Sequence, residues 1–461
     1  MGSRTAAQAG PAFLQSVYQG WALNRRKILC LLLSCAVLDL AAARTYEVYP
    51  ATVETVEEFE TLANALRPGD ELILHGGTYS QKERRSVTAK GTAEQPIMIR
   101  AARGEAPLLT RPGGVRRNNI EFVDCAHLVI RGLRFQGGNS GVRFIRGHHI
   151  TFEECEIFET TNNALTMNSG DCHAFIIRRN HIHHTGLSTS GATEGEGMYI
   201  GCHSGSCRTT DSLIEGNYIH HLRGTSSGGN DGIEIKFGSH GNIVRNNVIH
   251  DTNIGQKYPG IFVYGGGSGA NIVEGNLIWN AGEGIQVVSD AIVRNNIIFD
   301  CAATGITAAP HVAVPHVRNT AIVNNTVFNA PIGVRIRWTD ATNMLFANNA
   351  VYCPGGTALD AFALGSARLR NNYVHGRLTG IAVDNERVFD GGAPSAAFLD
   401  VARRDFWPRA GSALLGHADS DLPAALDFNG TKRVAPFDIG AYESDGREQN
   451  PGWKVQAGFK H

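Results

Sequence analysis

The feature that most constrains this chain is an internal repeat. The segments FIIRRNHIHH, SLIEGNYIHH, NIVRNNVIHD, NIVEGNLIWN, AIVRNNIIFD, AIVNNTVF, MLFANNAVY and ARLRNNYVH align so that one asparagine recurs, at Asn180, Asn217, Asn247, Asn276, Asn296, Asn325, Asn349 and Asn372. A small residue and a short alternating strand complete each unit, as in GVRFI, ALTMN, GMYIG, GIEIK, GIFVY, GIQVV, GITAA and GVRIR. Strands this short, recurring every roughly 20–30 residues, cannot bury a face alone and must stack on their neighbours. In such a stack an asparagine at a bend can hydrogen-bond to the next coil and tolerate a left-handed backbone. The predicted fold is all-β: a single-stranded right-handed parallel β-helix, a solenoid, with an N-terminal helical cap. The 54 glycines and the 18% charged fraction suit a turn-rich chain of this kind.

The ends extend the reading. In VETVEEFETLANALRPGDELIL, the residues Val56, Phe59, Leu62 and Leu66 share one side of a helix stopped by Pro68-Gly69, fit to cover the unpaired edges of a first coil. The segment DFWPRAGSALLGHADSDLPAALDFNGTKRVAPFDIGAYES resembles the carboxy-terminal element of secreted β-helix proteins. The expected organisation is an extension and signal peptide over 1–43, cap and first coils over 44–110, the β-helix over 111–390, and a capping element and tail over 391–461. Asn24 to Lys27 supplies a basic region, Ile28 to Leu40 an apolar one, and Ala41 to Ala43 small residues for cleavage, the pattern of an exported protein, secreted or periplasmic. The apolar run is too short, and too interrupted by Asp39, to span a membrane. Leu32-Leu33-Ser34-Cys35 faintly resembles a lipoprotein signal, whose alternative outcome is a lipid anchor at Cys35 on the outer surface. Cys202 and Cys207 bracket a Gly/Ser loop that a disulfide could close in an oxidising compartment. A net charge of −1 offers no broad basic field for nucleic acid. The expected state is a monomer.

The repeat also locates a site. The asparagines fall at intervals of 37, 30, 29, 20, 29, 24 and 23 residues, so the coils from Asn180 to Asn276 carry the longest run of extra loop, and solenoid insertions gather on the binding face. Among them lies NDGIEIKFGSHG. Alternation sends Ile233 and Ile235 to the core and Glu234 and Lys236 outward. Tyr199 and Gly201 take the same outward positions on one neighbouring coil, Phe262 and Tyr264 on the other. Just before the strands, Glu196 and Asp231 should stack, with Glu194 and Asn230 nearby.

This acidic-then-lysine segment, followed by an asparagine turn, resembles the right-handed parallel β-helix polysaccharide lyases, of the pectate lyase and the chondroitinase B and alginate lyase type. The resemblance implies a secreted enzyme that cleaves an acidic polysaccharide (alginate, pectate or glycosaminoglycan-like) by β-elimination. It implies Lys236 as base and Glu196, Asp231 and Glu234 as calcium ligands. The chondroitinase-like group carries an arginine on the coil after the lysine, where this chain has Phe262 and Tyr264, with Lys257 in the preceding loop.

Elimination accounts for such residues. Removing the C5 proton of a uronate concentrates negative charge beside an existing carboxylate, which calcium or an arginine can stabilise. A lysine acts as base in its neutral form. Tyr264 or Tyr199 could protonate the departing O4. Arg245 is a further catalytic candidate, although the repeat also places Arg294 at its position. His203, Lys257, Arg335 and Arg337 are candidates for gripping substrate. The plainer alternative for Asp231, Glu234 and Lys236 is a solvated ion-pair set, and for the tyrosines a sugar platform or packing. His181, His183, His184, His220, His221 and His250 recur near bends and read as packing and hydrogen bonding rather than a metal site. A uronan C5-epimerase shares the proton abstraction, but no Asp-Pro-His segment is present; a hydrolase needs converging aspartates; a non-catalytic carbohydrate-binding surface protein has no use for Lys236.

Overall fold

The computed structural model describes residues 42–461 apart from 51–53, 81–84, 112–116, 189–193, 226–228, 253–254, 256, 315 and 422–423, and the side chains of 54–57. The expected leader to residue 41 and the side chain of Val56 lie outside the described residues. Within 43–461 the strands of the two large sheets pair in parallel, each with its counterpart one coil on, and Phe398–Asp400 and Asp405–Pro408 form a separate antiparallel pair. They form three ladders. The first runs from Thr45–Val48 through Glu71–Leu74 and Ile243–Arg245 to Arg368–Arg370. The second holds the strands that follow the asparagine turn, such as Tyr218–His220, Val248–His250 and Leu277–Trp279. The third holds the strands that the loops lead into, such as Met198–Ile200, Ile233–Ile235 and Pro259–Val263. The long strand Ala350–Phe362 pairs into both the second and third. Pairing starts inside 44–110 and continues through 111–390.

The alternation that sequence suggests is what the coils use. Met198, Ile200, Ile233, Ile235, Ile261, Val263, Ile285 and Val287 of the third ladder are buried in one core with Ile214, Val244, Val273 and Val293 of the first and Ile219, Ile249 and Ile278 of the second. No coil encloses a core by itself, so each burial depends on the coil above and below.

The eight asparagines form a continuous amide ladder. Each side-chain amide from Asn180 to Asn349 donates to the next Oδ1, at 2.9–3.0 Å. The same Oδ1 also accepts the preceding asparagine's backbone N–H. All are buried. The left-handed residue, however, is the one before the ladder position: Arg179, Gly216, Asn246, Gly275, Asn295, Asn324, Asn348 and Asn371 have φ of 49–64°. The ladder asparagine is thereby freed to point its amide along the axis.

The helix Glu54–Ala65 buries Phe59 against the first coils, with Leu62 packed beside it. It closes a strand edge by hydrogen bonds as well, since Asn64 Nδ2 donates to the Ser86 carbonyl and Glu60 accepts the Ser86 N–H. The C-terminal segment does more than cover the last coil. It runs back along the second ladder: Phe398, Phe406 and Tyr442 pack with Tyr352, Phe328 and Phe299, Arg433 reaches Asn295, and the Lys460 ammonium donates to Asn246 and Gly275.

Asn276 makes four bonds of this ladder. Asn276→Ala leaves Asn247 donors and a backbone carbonyl unsatisfied in the interior, at a cost of about 2–4 kcal/mol. Denaturant unfolding checks this as a lowered midpoint at unchanged slope.

Candidate active site

Register brings the charged residues together. Tyr199, Glu234, Phe262 and Gln286 occupy one outward column of the third ladder. Three residues earlier, Glu196 and Asp231 stand side by side, followed by Pro259 and Glu283. Glu196, Asp231 and Glu234 each offer a carboxylate oxygen within 4.8 Å of the others, and all three are buried. Lys236 forms an ion pair with Glu234, both side chains almost wholly enclosed. The lysine ammonium lies 4.3 Å from the centre of the Tyr199 ring and 5.1 Å from that of Tyr264.

The surroundings hold this arrangement. Phe262 stacks on Tyr264 at 4.1 Å between ring centres. A Cβ at Gly229 would collide with the Glu196 carboxylate, so glycine there opens the space the acid occupies. Asn230 pins the inserted loop, accepting from the Gly224 N–H at 2.8 Å and donating to the Thr252 carbonyl at 2.7 Å. The disulfide between Cys202 and Cys207 closes the loop that carries His203, whose ring meets the edge of Tyr264 at 6.3 Å.

Electrically the cluster is under-compensated. Glu196 Oε2, Asp231 Oδ1 and Glu234 Oε2 are buried without a hydrogen-bond partner. Burial, then the charges of Glu234 and Glu194, push the Glu196 carboxyl up to about 8. Burial, then the charges of Glu234 and Glu196, hold Asp231 well above the usual carboxylate range, and burial raises Glu234. Three acids facing one lysine therefore call for further positive charge or for protons. Burial and the Glu234 charge raise the phenols of Tyr199 and Tyr264, which keep their protons at neutral pH.

The other expected residues divide. Arg245 is not in the site: it lies on the first ladder, stacked between Glu215 and Glu274 and paired with Glu215 at 2.6 Å. Its outward face is a different one, which corrects its candidacy as a catalytic group. Arg335 falls on Glu234's own column, four rungs on, roughly 19 Å away at about 4.8 Å per rung. Arg335 and Arg337 share Asp360, at 3.4 and 2.7 Å. Lys257 is exposed, two residues before Pro259 of the acidic column.

Three neighbours were not singled out from sequence. His311 meets Tyr264 edge-on at 4.8 Å, from a loop 47 residues downstream that carries no repeat signal. Tyr258 has its phenol raised by burial and then by Asp231 and Glu196. Asn163 sits on the coil before Glu196, with its Oδ1 buried and unpartnered. Its position in the column was the signal that could have found it.

Comparison with known proteins identifies the architecture. A family profile described as a right handed beta helix region matches residues 197–350. Among solved structures, XylC in complex with xylose superposes with a TM-score of 0.59 at 11% identity, covering 87% of this chain and 98% of that one. Pectate lyase Pel9A gives 0.50 at 14%, covering 89% and 98%. A mannuronic acid specific polysaccharide family 6 lyase from human gut microbiota gives 0.50 at 16%, covering 74% and 89%. The fold is a right-handed parallel β-helix. Polysaccharide lyases share this architecture with the present chain. No curated protein matches the sequence. No helix among the described residues is long and apolar enough to cross a membrane.

Folded Glu196 keeps a proton, up to about pH 8, that the unfolded chain releases near 4.5. Stability of the metal-free protein is therefore greatest at the acid end of this window and falls as pH rises through it. Melting temperatures in chelator should decline from about pH 5 to about pH 8, and Glu196→Gln should flatten the decline; an unchanged slope in the variant would contradict the assignment.

Proposed function

We propose that this chain is a secreted lyase that cleaves a uronate-containing polysaccharide by β-elimination, with Lys236 as base. The observation that carries the reading is the buried lysine set against three incompletely partnered carboxylates, between two phenols, on the face beside the inserted loops.

Glu196, Asp231 and Glu234 suit a hard divalent cation. Their donors are oxygens, their free lone pairs converge, and calcium accepts six to eight such ligands, with Asn163 Oδ1 a neutral addition from the adjoining coil. A cation held there supplies positive charge for the uronate carboxylate beside C5. A positive neighbour also disfavours an ammonium, which assists a lysine base.

The chain's own groups account for the rest. Neutral Lys236 takes the C5 proton, the electron pair forms the C4–C5 double bond, and the C4–O4 bond breaks. Tyr264, proton-retaining and beside the lysine, donates to O4, with Tyr199 on the other side as the alternative donor. His203 and His311 frame Tyr264 where related lyases are expected to place an arginine. Arg335, farther along the same face, suits the carboxylate of a distant sugar in the same polymer, and exposed Lys257 can meet another.

Alginate, pectate, glucuronan and glycosaminoglycans, each tested with calcium and with chelator, provide the assay through ultraviolet absorbance of the new conjugated double bond. Lys236→Ala should lower turnover by about 100- to 10,000-fold and Tyr264→Phe should lower it less, whereas Arg245→Ala should leave it unchanged. Proton exchange at C5 without absorbance would identify an epimerase, and binding without either a non-catalytic surface. Turnover unaffected in Lys236→Ala would overturn the proposal.

A further inference from the structure

The second ladder carries a histidine array that elimination does not use. Sequence suggested packing and hydrogen bonding for it, and both are present: His183 and His220 stack at 5.2 Å, His220 and His250 at 5.2 Å, and His250 and Trp279 at 4.1 Å. At its start, though, the geometry goes further. Glu156, His181 and His183 come from two adjacent strands, Glu156–Phe158 and His181–His183. Glu156 Oε1 lies 3.1 Å from His183 Nε2 and 3.6 Å from His181 Nδ1. Ligands on a tetrahedral zinc-class ion, at bonds of about 2.0–2.1 Å, stand about 3.3 Å apart.

We propose that Glu156, His181 and His183 bind a divalent cation of the zinc class, with a fourth coordination position open to the adjoining cavity. Two imidazoles and one carboxylate suit zinc and its first-row neighbours and not calcium, which prefers oxygen alone.

The groups behind the three donors match what such a site needs. A ligating histidine is held by a partner on its other ring nitrogen. His183 Nδ1 faces His184 Nδ1 at 2.7 Å, and His181 Nε2 faces His220 Nε2 at 2.8 Å. With Nε2 of His183 and Nδ1 of His181 given to a metal, the opposite nitrogens carry the protons and donate to these partners. His220 then donates from Nδ1 to His221, at 2.6 Å. Arg134 holds the second carboxylate oxygen of Glu156, which leaves Oε1 for the ion.

Access is provided by a cavity of about 480 Å³ lined by Glu156 and His181 together with Arg134, Arg179, Phe459 and Lys460. Water from this cavity can supply the fourth ligand. A second group along the array, His221, His250 and Asp251, also gathers within 4.8 Å. There both His250 nitrogens are engaged, Nδ1 by Asp251 at 2.7 Å and Nε2 by the Tyr218 hydroxyl at 2.9 Å. Unlike Glu156 and His181, none of these three residues lines the cavity.

Cobalt(II) is the probe, titrated into the full-length, chelator-treated protein and followed by visible absorption and calorimetry. The expected result is one equivalent with the intense spectrum of a tetrahedral site. Asp231→Asn, on the third ladder, should retain it. Glu156→Gln, close in shape to the native residue, and His183→Phe should each weaken binding by at least about 100-fold, and His184→Phe, which removes only an orienting partner, by about 10- to 100-fold. Circular dichroism identifies any variant that fails to fold, and Glu156→Gln then carries the test. Absence of the tetrahedral spectrum in the wild type, its retention in Glu156→Gln, or its loss in Asp231→Asn would overturn the proposal.

Discussion

Everything in this molecule depends on coils stacking in one register, and the buried asparagine amides are the interaction that fixes it. An amide within the ladder, such as that of Asn276, takes two donors from one side and gives its own to a backbone carbonyl and to the next amide, so its own hydrogen-bonding groups are all paired. A slip of one residue along any coil would turn its isoleucines outward and its carboxylates into the core. The site is a consequence of that constraint. Glu196 comes from one coil, Asp231, Glu234 and Lys236 from the next, and Tyr264 from the third, and only registered stacking makes them neighbours.

The two kinds of buried polar group differ in energy. The asparagine ladder is neutral and satisfied, and it stabilises. The carboxylate cluster is charged and incompletely partnered, and burial of this kind opposes folding unless a cation, a proton or the lysine compensates. Glycine at 229, the disulfide at Cys202 and Cys207, and the Asn230 clamp hold side chains where they would not settle by themselves. Sites that go against local stability in an otherwise consistent fold are where function is expected. Along the second ladder, the returning C-terminal segment covers aromatic rings that would otherwise be exposed, and its last residues line the cavity beside Glu156 and His181.

Much of this was legible in the sequence, for a definite reason. A solenoid converts linear period into spatial stacking, so the column of asparagines and the outward positions 199, 234, 236, 262 and 264 follow from counting. What failed to follow came from three sources. The faces on either side of a turn look alike in sequence, so Arg245 was a candidate although its strand belongs to the first ladder, where Glu215, Arg245, Glu274 and Arg294 alternate in charge from coil to coil. The left-handed bend belongs to the residue before each ladder asparagine, where Arg179 and Gly216 stand as readily as Asn246. His311, and the C-terminal return over the second ladder, depend on long-range folding of non-repeating segments, which no period encodes.

The central claim is that the third-ladder acids form a cation site serving Lys236. Calorimetric titration of calcium into chelator-treated protein at neutral pH tests it most directly. The account predicts a single site in the wild type, abolished by Asp231→Asn and retained in Arg245→Ala. No binding in the wild type, or equal binding in Asp231→Asn, would contradict it.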